Sequence, residues 1–521
     1  ENSTGKEDLQ TLYWKATFKE KEVFQLNGGG EVFFRKQAIK EENIKRGYEN
    51  KNWIIENKRF VNKQGKFLFH CPIVLNFKEK KYSKSVYAIS EINDAINEKL
   101  LENDSVCFLG IDRGEKHLAY YSIVDKEGNI LEQDTLNSIK GKDYNALLEK
   151  RSVEMDEARK SWQTIGTIKE LKDGYISQVI RKIVDLSVQY NAFIVLEDLN
   201  VGFKQGRQKI EKSVYQKLEL ALAKKLNFLV DKSIPLGEVG SVTKALQLTP
   251  PVNTFGDMEN RKQFGIMLYT RANYTSQTDP ATGWRKTIYL KRGSEELIKK
   301  SILEAFSNIY FDGKDYVFSY TEKLGKDQKP GKEWKLYSGK NGISLDRFRG
   351  KRGKDFDEWN IEKIDIVKIL DGLFEGFDKG SSLLDQIKKG KELNKVDDHK
   401  VYETLRFALD CIQQIRNSGK KEDTRDNDFL HSPMRNENGE HYDSRVYLDK
   451  ERVGEKVSLP ISGDANGAYN IARKGILMRE HLRRDFTVYI SDEEWSVWLS
   501  GKDAWEKWIQ ENEKNLKKKK K

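Results

Sequence analysis

Cysteine is scarce in this sequence: Cys71, Cys107 and Cys411 are the only three in 521 residues, and no Cys-x-x-Cys pair occurs. A chain of this length can bury enough apolar surface to fold without staples, so neither a disulfide framework nor a zinc ribbon is expected, and a reducing compartment is. Long apolar runs are missing as well. None approaches the roughly eighteen residues that a membrane-spanning helix needs, which excludes a membrane partner of that kind. No signal-peptide pattern opens the chain, and because it does not begin with Met, nothing about targeting follows from that. Nor does one sign of charge dominate: 93 Lys and Arg against 82 Asp and Glu leave a net +11. This modest basic excess favours a polyanionic partner held through phosphate neutralisation, with steep salt dependence. An ordinary lysine-rich soluble surface has the same composition.

What is present divides the chain into blocks. Residues 1 to about 90 read as a β-rich module, with strand-like runs at Val23–Leu26, Glu31–Phe34 and Phe67–Phe77 separated by Gly and Lys turns. Val106–Asp112 is a continuous apolar run that fits a strand buried on both faces. Leu118–Val124, the turn Asp125–Asn129 and Ile130–Asp134 then complete a three-stranded antiparallel meander. A charged helical stretch, Tyr144–Trp162, bridges to an amphipathic helix carrying Ile176, Val179, Ile180, Ile183 and Val184. That helix leads into a second buried strand, Phe193–Glu197, which predicts a parallel crossover. Another amphipathic helix is expected over Tyr215–Val230. Residues from about 273 to 456 look polar and loop-rich, with one convincing helix at Tyr402–Ile415, and read as a separate inserted domain. Helix-forming sequence returns from Leu459 and ends in the basic run Lys517–Lys521, a solvated tail.

Three acidic residues stand at the ends of these elements. Asp112 ends the first strand of the meander, Glu197 ends the strand reached through the helix, and Asp464 opens a late helix marked by Ala468, Ile471, Ala472 and Ile476. Each alone has a plain reading as a turn residue, a solvated strand end and an N-cap. Their order, however, resembles the RNase H-like arrangement, in which the first and fourth strands are neighbours and their acidic ends share one sheet edge. Phosphodiester hydrolysis by two divalent ions needs carboxylates holding the ions roughly 3.5–4 Å apart. Mg²⁺ prefers such hard oxygen donors, and clustered carboxylates repel one another unless cations lie between them.

The resemblance becomes specific at Gly-Ile-Asp-Arg-Gly-Glu (110–115), Leu-Glu-Asp-Leu-Asn-Val-Gly-Phe-Lys (196–204) and Asp-Ala-Asn-Gly-Ala-Tyr-Asn-Ile-Ala-Arg-Lys-Gly (464–475). These are similar to the three RuvC segments of type V-A CRISPR effectors, the RNA-guided DNA endonucleases first called the Cpf family. Leu12-Tyr-Trp-Lys and Glu31-Val-Phe-Phe-Arg-Lys resemble the end of that family's wedge domain, Trp162-Gln-Thr-Ile-Gly-Thr-Ile-Lys its bridge helix, and Ile415-Arg-Asn-Ser with Asp443-Ser-Arg its Nuc domain. The fold class so implied is α/β: an RNase H-like (RuvC) mixed sheet assembled from three sequence segments, with a β-rich wedge module and an inserted α+β Nuc domain. The implied division is 1–90 wedge, 91–143 first RuvC segment, 144–165 bridge helix, 166–272 second segment, 273–456 Nuc and 457–521 third segment.

The resemblance implies a guide-directed DNA endonuclease of a prokaryotic, cytoplasmic defence system, with Asp112, Glu197 and Asp464 as catalytic residues and ligands of two Mg²⁺, for which Mn²⁺ can substitute. It further implies that Arg416 delivers the target strand, that Asp428 lies near the same cleft, and that Trp162 anchors the bridge helix. Lys204, Arg207 and Lys209 are candidate phosphate contacts, and Lys58, Arg59 and Phe60 candidate RNA contacts. The partners are a guide CRISPR RNA, target double-stranded DNA and single-stranded DNA, bound by a monomeric effector. The chain starts inside the wedge domain, so the recognition lobe and the reader of the protospacer-adjacent motif are expected to be missing from it. Ile39–Phe60 contains no His and carries Glu56 where a processing Lys belongs, which argues against trimming of its own guide precursor. Two other readings share these residues: a compact transposon-encoded RNA-guided nuclease, disfavoured by the lack of paired cysteines, and a nucleic-acid-binding fragment that does not cut.

Overall fold

The computed structural model describes residues 8–19, 24–26, 29–34, 67–75, 86–113, 119–139, 141–143, 146–147, 168–198, 212–271, 273–324, 329–339, 344–349, 359–396, 400–417 and 429–518. Two compact units result, one of Glu1–Lys84 with Leu226–Leu248, the other of Ser85–Lys225 with Thr249–Lys521. Among the described residues no helix is long and apolar enough to cross a membrane.

The first unit contains a helix, Leu9–Lys19, that the strand-like patterning of this region did not announce. Asp8 caps it by accepting from the Thr11 amide at 2.7 Å. Ala16 is buried against Val242, with Leu12, Tyr13 and Phe228 packed around the pair. The run expected as one strand over Phe67–Phe77 is two, Phe67–His70 and Ile73–Leu75. Pro72 lies at the break, where its missing N–H ends the ladder. Each half then pairs antiparallel with its own partner, Glu31–Phe34 and Phe24–Leu26 respectively. The stretch 39–60, with Glu56, Lys58, Arg59 and Phe60, lies outside the described residues.

A six-stranded mixed sheet organises the second unit. Its strands are β1 (Cys107–Asp112), β2 (Tyr120–Val124), β3 (Ile130–Thr135), β4 (Ala192–Glu197), β5 (Gln263–Phe264) and β6 (Met267–Thr270), in the spatial order β5-β6-β4-β1-β2-β3. The expected meander is β1-β2-β3, antiparallel throughout. β4 returns parallel to β1 after helix α1 (Ile168–Gln189), as a helical crossover requires. β6, parallel to β4, extends the sheet by a strand the sequence reading missed. β1 and β4 are buried at every position, which explains their continuous apolar runs.

Beyond β4 comes helix α2 (Lys212–Leu226), shorter at its end than the expected Tyr215–Val230. Its last turn is closed by two outside donors, the Thr249 hydroxyl on the Ala223 carbonyl and the Leu248 amide on the Leu226 carbonyl, after which the chain leaves the helix. Helix α3 (Gly463–Arg483) lies across one face of the sheet. It approaches closely because a glycine lies opposite: a Cβ on Gly110 would run into the backbone of Ala468 and Ala472.

The stretch from 273 to 456 is not loop-rich, contrary to its polar appearance. Strands Asn308–Phe311, Tyr316–Leu324 and Lys329–Tyr337 form an antiparallel meander packed against helices Glu295–Ala305, Ile366–Leu373, Leu383–Lys388 and Val401–Ile412. Trp284, Phe306, Tyr316, Phe318 and Phe374 fill the core. Charged residues on the solvent face hid the pattern; in the third strand buried Trp334 and Leu336 flank exposed Lys335 at the two-residue period of a half-buried strand.

Candidate active site

Strand alternation decides which side chains of β1 and β4 meet α3. The Cβ position of Gly475 on α3 is filled by Phe108 and Val195, so Phe108, Gly110 and Asp112 on β1 and Phe193, Val195 and Glu197 on β4 face that helix. The parallel register pairs Ile111 with Leu196, which brings Asp112 and Glu197 side by side where the two strands end. Both are buried, each about 8% exposed. Asp464 reaches the same edge from the first turn of α3. Ser462 is the N-cap, its hydroxyl accepting from the Ala465 amide at 3.2 Å, so Asp464 is relieved of the capping role its sequence position suggested. One turn along, Gly467 faces the Asp112 carboxylate so closely that a Cβ there would overlap it.

The electrostatics follow from this convergence. Burial, then the Glu197 and Asp464 charges, raise the Asp112 carboxyl well above the ordinary carboxylate range, while Arg416 and Arg113 oppose the shift. Arg416 Nη2 donates to Asp464 Oδ1 at 2.8 Å. It does so from a short strand, Arg416–Asn417, because the preceding helix stops at Ile412 rather than Ile415. Glu197 Oε1 accepts from the Thr275 hydroxyl at 3.1 Å. Arg113 Nη2 donates to the Glu197 carbonyl at 2.7 Å and lies 3.8 Å from its Oε2. The neighbouring Asp198 points away by alternation and is engaged by Lys262 at 2.6 Å.

Trp162, Lys204, Arg207, Lys209 and Asp428 lie outside the described residues. Sequence reasoning missed Arg113, Thr275 and Lys474. Arg113 was visible beside Asp112, but its orientation was not. Lys474 is buried among α3 positions whose apolar spacing drew the attention; burial pushes its ammonium down to about 8, against the pull of Glu197.

Arg113 also faces the opposite side of the sheet end. Among the described residues its Nε and Nη1 meet no hydrogen-bond partner, with Tyr215 beneath it at 5.3 Å and Glu219 and Tyr269 nearby. Glu219 and the Tyr269 hydroxyl approach each other, yet among the described residues neither Glu219 Oε1 nor that hydroxyl completes a hydrogen bond of good geometry. Burial, only partly offset by Arg113, raises the Glu219 carboxyl from 4.5 to about 7. A carboxyl raised on folding holds its proton longer in the folded state, so its contribution to stability is full below pH 4.5 and lost as pH rises through about 7. Glu219→Gln removes that loss. The variant is expected to match the parent near pH 5 and to exceed it at pH 8.5 by up to about 3 kcal/mol in urea unfolding. Equal effects at both pH values would refute a titrating Glu219.

Among the described residues no group of three or more His, Cys, Asp or Glu side chains is spaced to hold a metal ion as it stands. The match to a divalent ion is therefore one of donor chemistry: three carboxylates on one edge, of which Asp112 carries the repulsion of the other two. The profile of the RuvC nuclease domain matches residues 86–514, covering β1 to β6, α3 and all three carboxylates. An RNase H-like α/β sheet with acidic residues at its strand ends is the architecture such a domain uses, and this chain belongs to the RuvC nuclease domain family.

Proposed function

We propose that the chain is the nuclease portion of a type V-A CRISPR effector, a guide-RNA-directed, divalent-metal-dependent endodeoxyribonuclease. The observation that carries the reading is the meeting of Asp112, Glu197 and Asp464 at one edge, each delivered by a different stretch of chain. Family membership supports nuclease chemistry, and the motifs around the three acids support the narrower assignment. The prokaryotic cytoplasm, a guide CRISPR RNA and target DNA belong to the same reading, as does the division into wedge, split RuvC and Nuc regions.

Asp112, Glu197 and Asp464 are the residues that would hold Mg²⁺ or Mn²⁺. A bound pair of such ions supplies an activated water and stabilises the leaving oxygen in an in-line displacement. The protein's own part is positional. Asp112 lies between strand and helix, Glu197 accepts from Thr275 while Arg113 donates to its carbonyl, and Arg416 holds Asp464 until anionic DNA competes for the guanidinium. The guanidinium, about a third exposed, can then hold a phosphate of the strand entering the site.

The test is cleavage of a guide-matched duplex with each strand labelled separately. Cutting is expected in Mg²⁺ with the matched guide and to stop in EDTA; cutting that persists in EDTA sinks the metal assignment, and cutting indifferent to the guide sinks RNA direction. In the same assay Arg416→Ala is expected to slow the target strand about tenfold more than the displaced strand. Equal losses on both strands would remove its special role.

A further inference from the structure

Three polar residues of α3 form a ladder on one helix face, at intervals of one turn: Asn466, Asn470 and Lys474. Asn466 and Asn470 are fully buried and Lys474 is 2% exposed, a placement whose cost must be offset by hydrogen bonds. Among the described residues, every bond they donate outside the helix goes to one segment, the chain that leaves β6. Asn466 Nδ2 donates to the carbonyls of Ser276 at 3.2 Å and Thr278 at 2.9 Å. Asn470 Nδ2 donates to the Thr275 carbonyl at 2.9 Å, and Lys474 Nζ to the carbonyls of Arg271 at 2.7 Å and Asn273 at 3.2 Å.

The segment so held is strained. Tyr274 adopts φ = 64°, the left-handed region that a bulky side chain avoids. It is kept there by the Thr278 hydroxyl on its carbonyl and by the Arg285 guanidinium over its ring at 4.2 Å. The next residue, buried Thr275, aims its hydroxyl at Glu197 Oε1.

We infer that Thr275 is a positioning residue for Glu197, and that the Asn466–Asn470–Lys474 ladder makes α3 the element that sets all three carboxylates together. The helix carries Asp464 in its first turn, presses Gly467 against Asp112, and through the ladder presents Thr275 to Glu197. A free carboxylate samples several rotamers; a hydroxyl donated from a fastened loop selects one. The inference rests on the reading of Glu197 as a metal-holding catalytic residue, so its test separates the two.

Mn²⁺ binding is followed by electron paramagnetic resonance in the Thr275→Val, Thr275→Ala and Thr275→Ser variants, with Glu197→Ala as reference. Guide-directed cleavage is measured under single turnover alongside. Val and Ala are each expected to weaken Mn²⁺ binding about tenfold and to slow cutting comparably, with DNA affinity unchanged. Ser, which keeps the hydroxyl, is expected to restore both within about twofold. Parent-like Mn²⁺ binding in Val or Ala, or a Ser variant as impaired as Val, overturns the inference while leaving the nuclease reading intact. Unchanged Mn²⁺ binding in Glu197→Ala overturns the reading itself. Should Val fail to fold, the smaller Ala against Ser decides by the same criteria.

Discussion

Asp112→Ala is expected to cut DNA slower than the parent by roughly 10³-fold or more, about 4 kcal/mol of lost transition-state stabilisation, while nucleic-acid affinity stays within about twofold. Asp112 is the carboxylate on which the site converges. It takes the repulsion of both other acids and is buried where the end of β1 meets the first turns of α3. Removing it deletes a ligand and leaves phosphate contacts elsewhere untouched, so chemistry and binding separate. Removing it also relieves a buried, repelled charge, and the folded state is expected to be no less stable for the change. Cleavage in the alanine variant at more than about a tenth of the parent rate would reject Asp112 as a ligand, and a parallel collapse of DNA affinity would assign it to binding.

Two glycines near Asp112 are expected to fail in opposite ways. At Gly110 an added Cβ meets main-chain atoms of Ala468 and Ala472, which cannot move without shifting the helix from the sheet. Gly110→Ala should therefore cost about 3 kcal/mol and lower the thermal midpoint by roughly 5 °C, with activity falling alongside. At Gly467 the added Cβ meets only the carboxylate of Asp112, the free end of a side chain. That end can turn aside, and alanine gains about 1 kcal/mol over glycine inside a helix. Gly467→Ala should keep or raise the midpoint and still lose roughly 100-fold in cutting, because the ligand has been displaced rather than the fold. An active Gly467→Ala, or a Gly110→Ala as stable as the parent, would mean that α3 does not lie as closely on the sheet as described.

Much of this site is legible in the linear chain, for local reasons. A strand buried on both faces must be apolar without interruption, so β1 and β4 announce themselves and their terminal acids stand out as the first residues free to be charged. The apolar spacing of α3 and the position of Asp464 at its start are equally local. Family motifs around these acids added the function class, which periodicity alone does not carry. The region from 273 to 456 was misread for the complementary reason. Its strands face solvent on one side, and alternating Lys and Glu look like loop until the buried partners, Trp334 and Leu336 among them, are seen to share a face.

Arg113 and Thr275 show what local pattern does not encode. Thr275 lies 78 residues from the glutamate it orients, and Arg416 lies 48 residues from the aspartate it holds. Threonine is not a rare residue and Thr275 sits in no run that marks it, while the Ile415-Arg-Asn-Ser motif marked Arg416 without naming the aspartate it would hold. Their roles arise when chain closure brings them to a buried carboxylate that must be satisfied, and that event depends on the packing of α3 over Gly110 rather than on any neighbour in sequence. The sequence by itself determined that β1, β4 and α3 form, the order in which they arrive and where the three acids stand on them, since burial period and capping act over a few residues. Only the tertiary structure decided which face those acids share and which donors aim them, because each such contact is made between segments that the chain holds far apart until the helix closes on the sheet.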